Sequence, residues 1–513
     1  MVDISDRIAE IKKMVDAGRY LTINRARQYG KTTTIAALEE LLKNEKTLLS
    51  LDFQRISDAA FRTEESFVRA FCRIILKKNR TLEMPGNIAA ALDEIVKRQG
   101  NAALFDELFA VFSDWCEAAT KPIVMIIDEV DSAANNQVFL DFLAQLRADY
   151  IEREKDPEYH TFQSVILAGV TDVKNLKRKL RPDDEKKVNS PWNIAADFEI
   201  DMSLSADGIC GMLNDYENDH HTGMDIEVIA QEIRDYTNGY PFLVSRICQL
   251  IDTAVLREYN TLEEAWTIGG VKKAVNLLQK EKNTLFQSLT EKLTNYPELK
   301  ASLRCVLMEG VKLPYNADQE DISQMQMYGF ILNYNNTVRI ANRIFETRLY
   351  DLFLSDEELN NNAFTKDGDL NKNIFTENGR LKLRVIMEHF IETFHQIYGE
   401  LEEKFKEKDG RELFLLYLRP IINGTGNYYI EAQTRDQKRT DVIIDYLGRQ
   451  YIIELKIWRG ERYNAAGEKQ ICEYLDYWNL DTGYMLSFNF NKAKETGVKK
   501  IYLGEKTLFE GTV

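Results

Sequence analysis

The chain is poor in the residues that mark specialised small folds. Its six cysteines, Cys72, Cys116, Cys210, Cys248, Cys305 and Cys472, never come within fewer than 38 positions of one another. No zinc knuckle or redox CxxC can be written from them, and reduced thiols are expected. With 9 Pro and 26 Gly in 513 residues, collagenous and low-complexity architectures are excluded. No apolar run is long enough to span a bilayer, and the charged start MVDISDRIAEIKKMV lacks a signal peptide's apolar stretch, so a cytosolic protein without membrane contact is expected. Positive charge is scarce as well: 66 Lys and Arg stand against 82 Asp and Glu, a net −16. A uniformly basic nucleic-acid coat is ruled out, and any polyanion must meet a local patch.

What is present is ordinary globular material, 44% hydrophobic and 29% charged, long enough for three or four domains. The charge is uneven. Residues 371–513 hold 22 basic and 22 acidic residues, leaving 44 against 60 before them, so the C-terminal part is electrostatically distinct.

Near the N-terminus an apolar run, Tyr20–Asn24, leads into Arg25-Ala-Arg27-Gln28-Tyr29-Gly30-Lys31-Thr32-Thr33 and an amphipathic stretch to Leu42. Strand, loop and helix in that order predict a phosphate loop. Backbone N–H groups of residues 27–33 and the helix N-terminus would surround phosphate, Lys31 would reach the β- and γ-oxygens, and the Thr32 hydroxyl would ligate Mg²⁺. Arg25 stands where GxxxxGK[ST] has its first glycine. A second motif supports the reading: Pro122-Ile-Val-Met-Ile-Ile-Asp128-Glu129 is a continuous apolar strand delivering two acids to a sheet's C-terminal edge. Asp128 would hold the Mg²⁺ water shell and Glu129 would polarise the attacking water. Further strands are expected at Thr47–Phe53, Ser164–Val170 and Phe198–Leu204, giving a doubly wound parallel sheet, with Thr171 placed to sense a γ-phosphate.

RARQYGKT, IIDEVD, SPWNIAADFEIDMSLS and TNGYPFLVSRI together resemble the bacterial AAA-ATPase-like proteins, relatives of archaeal-type and signal-transduction ATPases in which an Arg commonly replaces the first loop glycine. The resemblance implies ATP as ligand, an approach of Gly239-Tyr240-Pro241 to the adenine, and Arg246 as a phosphate sensor on a helical lid.

Downstream, helical segments and a hairpin with an Asn335-Asn336 turn suggest a winged helix. Its reading helix, EDISQMQMY, is acidic, which favours packing over DNA reading. Residues 356–373 are polar and Asn-rich, the composition of a linker.

Beyond it, Thr440–Tyr446, Leu447-Gly448 and Gln450–Trp458 predict a hairpin that sets Asp441 across from Glu454, with Lys456 on the same face. Two carboxylates and an amine can hold Mg²⁺ and activate water, and the absence of nearby His favours a hard metal. The string D-x12-E-x-K resembles the PD-(D/E)XK nuclease superfamily, and Glu412 on the preceding helix and Gln470 with Tyr474 on the following one match its further elements. By that resemblance Asp441, Glu454, Lys456 and Gln470 are catalytic and Glu412, Asp441 and Glu454 bind metal. Thr440 stands where that superfamily has Pro. Arg435, Lys438, Arg439, Arg459, Arg462 and Lys469 can neutralise phosphates, and Trp458 and Tyr463 can stack on bases.

The expected organisation is therefore an α/β P-loop ATPase core (1–205), a helical lid (206–283), a winged-helix-like module (284–355), a linker (356–373) and a PD-(D/E)XK nuclease-like α/β domain (374–513). The expected function is an ATP-regulated, Mg²⁺-dependent nuclease acting on DNA or RNA, in a role that the resemblance places in bacterial defence or mobile-element control. Two alternatives stand beside it. One is a nucleotide switch whose nuclease-like domain only binds nucleic acid or a protein. The other is a translocation or transposition ATPase, a homo-oligomer in which Arg178 or Arg181 serves as a finger in trans.

Overall fold

The computed structural model describes residues 2–513 apart from 79–81, 83, 99–103, 135, 171–191, 197, 199, 308–312, 360–362, 399–404, 406, 423–425, 434–438, 448, 459–460, 490 and 492–493. It divides into two compact units. The first comprises residues 1–212 with 240–242 and 324–329, and the second the remainder, 213–239, 243–323 and 330–513.

The first unit is built on β1 (Leu21–Asn24), β2 (Thr47–Asp52), β3 (Ile123–Asp128) and β4 (Ser164–Gly169), all parallel, in the order β1-β4-β3-β2. Ile123, Met125 and Ile127 of β3 face a core rich in phenylalanine, including Phe53, Phe67, Phe71, Phe112 and Phe142. Val124 and Ile126 face the opposite core, with Ile8, Ile11, Ile35 and Leu38. A strand buried on both faces needs an uninterrupted apolar run, which is what β3 and β4 carry.

The expected fifth strand, Phe198–Leu204, does not form among the described residues. Only Ala196 bridges to Leu21. The carbonyls of Phe198 and Ile200 accept instead from the Arg25 guanidinium, at 3.2 and 2.6 Å, and Arg25 lies 5.0 Å over the Phe198 ring. A side chain takes the acceptors that a strand ladder would have used.

The second unit takes in the end of helix Ala206–His220 (from residue 213), then helices Ile226–Thr237, Pro241–Thr253 (from residue 243) and Ile268–Lys280. Helices Thr284–Asn295 and Pro297–Leu307 follow, then β5 (Ile331–Tyr334) and β6 (Thr337–Ile340). Asn335 and Asn336 both have positive φ, as the two-residue turn between such strands requires. Where a linker was expected, helix Arg343–Leu359 continues to residue 359 and helix Ala363–Asn371 packs on helix Glu407–Ile422. Phe364 is buried, and Gly368 lets the helices touch, since a Cβ there would lie 2.2 Å from the Tyr417 carbonyl oxygen.

After a short ribbon, β7 (Thr376–Glu377) with β8 (Arg380–Leu381), comes a six-stranded sheet. Its members are β9 (Gly426–Gln433), β10 (Arg439–Tyr446), β11 (Arg449–Ile457), β12 (Thr482–Phe488), β13 (Gly497–Leu503) and β14 (Lys506–Thr512), in the order β13-β14-β12-β11-β10-β9. β9, β10 and β11 are antiparallel, whereas β11 and β12 are parallel and joined through helix Glu461–Tyr477. Among the described residues no helix is long and apolar enough to cross a membrane.

Candidate functional sites

In the first unit the loop between β1 and helix Lys31–Leu42 carries the phosphate-loop residues. Gly30 caps that helix at φ +84, which a side chain would strain, and Gln28 is left-handed at φ +57. Alternating left-handed residues turn successive N–H groups towards one concavity, the geometry of an anion nest. Lys31 is buried, its Nζ 2.9 and 3.1 Å from the carbonyl oxygens of Arg25 and Ala26. Burial pulls its pKa below the usual lysine range, and the charges of Asp131, Glu129 and Asp128 oppose that shift. Thr32 and Thr33 are exposed on the first turn, and Arg27 is exposed on the loop.

β4 lies between β1 and β3, so the ends of β1 and β3 are separated by two strand spacings, roughly 10 Å. The phosphate-loop helix closes that gap: Thr32 Oγ1 donates to Asp128 Oδ2 at 3.1 Å. Asp128 also accepts from the Glu129 N–H at 2.9 Å. Glu129 is left-handed at φ +57, and burial raises its pKa, with Lys31 acting against the shift and Asp128 and Asp131 reinforcing it.

Sequence reasoning passed over Asp131. Its carboxylate accepts from the Val170 N–H at 2.7 Å, and Gly169 at the end of β4 packs against Val130 and Asp131. The fourth position of DEVD was the available signal. Thr171, Arg178 and Arg181 lie outside the described residues. Tyr240 does not lie open to a base: its ring is buried edge-on against Tyr29, with centroids 4.7 Å apart, and its hydroxyl donates to the Arg27 carbonyl. In the second unit Arg246 is held by Glu281, Nε to Oε2 at 3.1 Å, and by Gln249.

The C-terminal hairpin has the expected register, with Tyr446 opposite Arg449 and Val442 opposite Ile453, and Leu447 turns it at φ +51. Glu454 is fully buried, with Lys456 Nζ 2.7 Å from its Oε1. Helix Glu461–Tyr477 covers this face, since a Cβ on Gly467 would lie 3.3 Å from Met485 Sδ and 3.8 Å from Lys456. On that helix Gln470 Nε2 donates to the Tyr474 hydroxyl at 2.7 Å. Asp441 belongs to β10, but its side chain lies outside the described residues, as do those of Arg435, Lys438, Arg439, Arg459, Arg462 and Tyr463. Lys469 is exposed and Trp458 half-buried.

Glu412 does not stand alone: Arg304 Nη2 of helix Pro297–Leu307 lies 2.9 Å from its Oε1. Among the described residues no group of three or more His, Cys, Asp or Glu converges as a metal site would. A second carboxylate on β10, Asp445, is buried 3.9 Å from Lys272. Nearby Glu232 has its pKa raised by burial, moderated by Lys272 and Arg343. That charged cluster was not foreseen, because its members are scattered over three helices and a strand.

A family model described as an AAA-like domain matches residues 5–355. No curated protein matches the chain. Among solved structures, the Walker-type ATPase of Pyrococcus abyssi is similar at 15% identity, over 68% of this chain and 96% of that one, with TM-score 0.45. The ORC2 protein of Aeropyrum pernix is 13% identical over 69% and 93%, with TM-score 0.35. The RuvB Holliday junction branch migration motor of Thermotoga maritima is 11% identical over 66% and 92%, with TM-score 0.32.

Proposed function

The chain belongs to the AAA-like domain family, and from that premise we propose that it hydrolyses ATP at the β1 loop and couples its nucleotide state to a Mg²⁺-dependent nuclease in the C-terminal sheet. The observation that carries the first half is the 3.1 Å bond between Thr32 and Asp128, which brings a hydroxyl and a carboxylate together beside the Lys31 ammonium. Hard oxygen donors of this kind suit Mg²⁺, which would neutralise charge on the β- and γ-phosphates. Lys31 binds the same phosphates, backbone N–H groups of residues 27–33 orient them, and Glu129 takes the proton of the attacking water. Burial of Glu129 suits that role by making it more basic than a surface glutamate.

The nuclease half is supported by a fully buried carboxylate, Glu454, held 2.7 Å from Lys456 on a sheet face roofed by a helix carrying Gln470 and Tyr474. Glu454, with Asp441 and Glu412, would hold Mg²⁺. Lys456 would orient the water and stabilise charge on the phosphate. The substrate class is DNA, with RNA as the other polymer to assay.

One observation favours the second reading, a nucleotide switch whose C-terminal domain binds without cutting: Glu412 is already neutralised by Arg304. The deciding experiment incubates the full chain with plasmid, linear single-stranded DNA or RNA, in Mg²⁺ or Mn²⁺, with and without ATP, beside Glu454→Ala. Cleavage lost in Glu454→Ala supports the nuclease. Equal cleavage by the variant, or none by either, leaves the switch.

A further inference from the structure

The phosphate loop is gripped from outside by segments that follow it by two hundred residues or more. Tyr240 is almost fully buried, its hydroxyl donates to the carbonyl of Arg27, and its ring meets Tyr29 edge-on. Pro241 stands next to it, with Cγ 3.9 Å from where a Cβ on Gly30 would lie. On the remaining side Gly329, at φ +80, sits so close that a Cβ there would lie 2.6 Å from Ala26 Cβ and 3.9 Å from Tyr240 Cε2.

A trans peptide is planar, so its C=O and N–H point in opposite directions. Fixing the Arg27 carbonyl outward therefore turns the Gln28 N–H inward, into the concavity that the left-handed Gln28 and Gly30 create. The carbonyls of Arg25 and Ala26 point differently, to Lys31. The Arg27–Gln28 peptide is thus singled out by a dedicated donor.

We propose that Tyr240 is a positioning residue of the nucleotide site, holding the Arg27–Gln28 peptide so that the Gln28 N–H faces phosphate. This rests on the reading of the β1 loop as an ATP site. Tyr240 acts through the backbone of Arg27 rather than by touching a substrate atom.

Tyr240→Phe removes the hydroxyl and keeps the ring against Tyr29. ATP and ADP should bind roughly three- to tenfold more weakly, the span of one hydrogen bond's net worth. Adenosine affinity should be unchanged, and in hydrolysis KM should rise with kcat held, because the contact serves ground and transition states alike. Binding of ATP at wild-type strength would overturn the proposal. So would an equal loss for ATP and adenosine, which would assign Tyr240 to the site's general folding. Lys31→Ala, run in parallel, separates the two levels. If it binds ATP normally, the site reading itself fails. If it loses ATP while Tyr240→Phe does not, only the role of Tyr240 fails.

Discussion

Arg304 places its guanidinium 2.9 Å from the carboxylate of Glu412, so a helix that precedes the C-terminal sheet by more than a hundred residues neutralises an acid on helix Glu407–Ile422. A cation bound at Glu412 would have to displace Arg304. Arg304→Ala is therefore expected to lower the Mg²⁺ or Mn²⁺ concentration for half-maximal binding, by a few-fold only, because solvent screens a pair whose side chains are 33% and 24% exposed. Calorimetric titration of the full chain with Mn²⁺ checks it. An unchanged midpoint removes Glu412 from the ligand set.

At the nucleotide loop, Lys31→Ala should abolish measurable ATP binding, whereas Glu129→Gln should bind ATP and fail to hydrolyse it. The pKa of Glu129 is raised by burial, so it stays protonated to a higher pH than a surface glutamate. As pH falls, wild-type hydrolysis should consequently fade above the ordinary carboxylate range, a limb visible in the pH dependence of kcat. Full activity down to that ordinary range would show that another group accepts the proton.

The Glu454–Lys456 pair predicts an asymmetry between stability and chemistry. Lys456→Met takes away an ammonium 2.7 Å from a fully buried carboxylate, and removing one member of such a pair typically costs about 3–5 kcal/mol. Glu454→Gln with Lys456→Met should recover much of that loss, because the buried charge goes with its partner. Denaturant unfolding of the single and double variants measures both. ATP binding should survive each change, since the nucleotide loop belongs to the other unit.

Asp149 offers a test of pH linkage away from either site. Burial lifts its carboxyl to about 6, partly opposed by the hydrogen bond from Tyr159. An acid whose folded pKa lies above its unfolded value binds extra protons in the folded state, so this contribution to stability is full below about 4 and declines as pH rises towards 6. Asp149→Asn keeps an acceptor for Tyr159 and removes the titration. It should melt higher than wild type at pH 7, with the gap closing near pH 4. A constant gap across that range would refute the linkage.

Much of the nucleotide site was legible because its chemistry is local. YGKT and IIDE each fit within a few residues, and parallel strands buried on both faces announce themselves as apolar runs. The hairpin register was legible for a similar reason: a two-residue turn at Leu447 fixes every pairing beyond it. What escaped depends on distant contacts. Nothing in the composition of Phe198–Leu204 reveals that Arg25 will occupy its carbonyls, and nothing in the polar 363–371 stretch announces that Gly368 permits a helix to seat against Tyr417. Glu412 was visible as an acid on the helix before the sheet, but nothing near it in the sequence announces its partner Arg304, more than a hundred residues upstream.

The first unit takes in residues 240–242 and 324–329, so its chain is not finished when Met212 has been made. During synthesis the β1–β4 sheet can form early, yet the Tyr29 ring stays uncovered until Tyr240 leaves the ribosome, and Ala26 until Gly329 does. At ordinary elongation rates that interval is on the order of ten seconds. A nascent chain would thus carry the lysine and threonine of its phosphate loop well before it carries the residues that brace that loop. Tight capture of ATP becomes a late event in the protein's birth, and a fragment cut at residue 212 would be expected to hold nucleotide poorly however well its sheet folds.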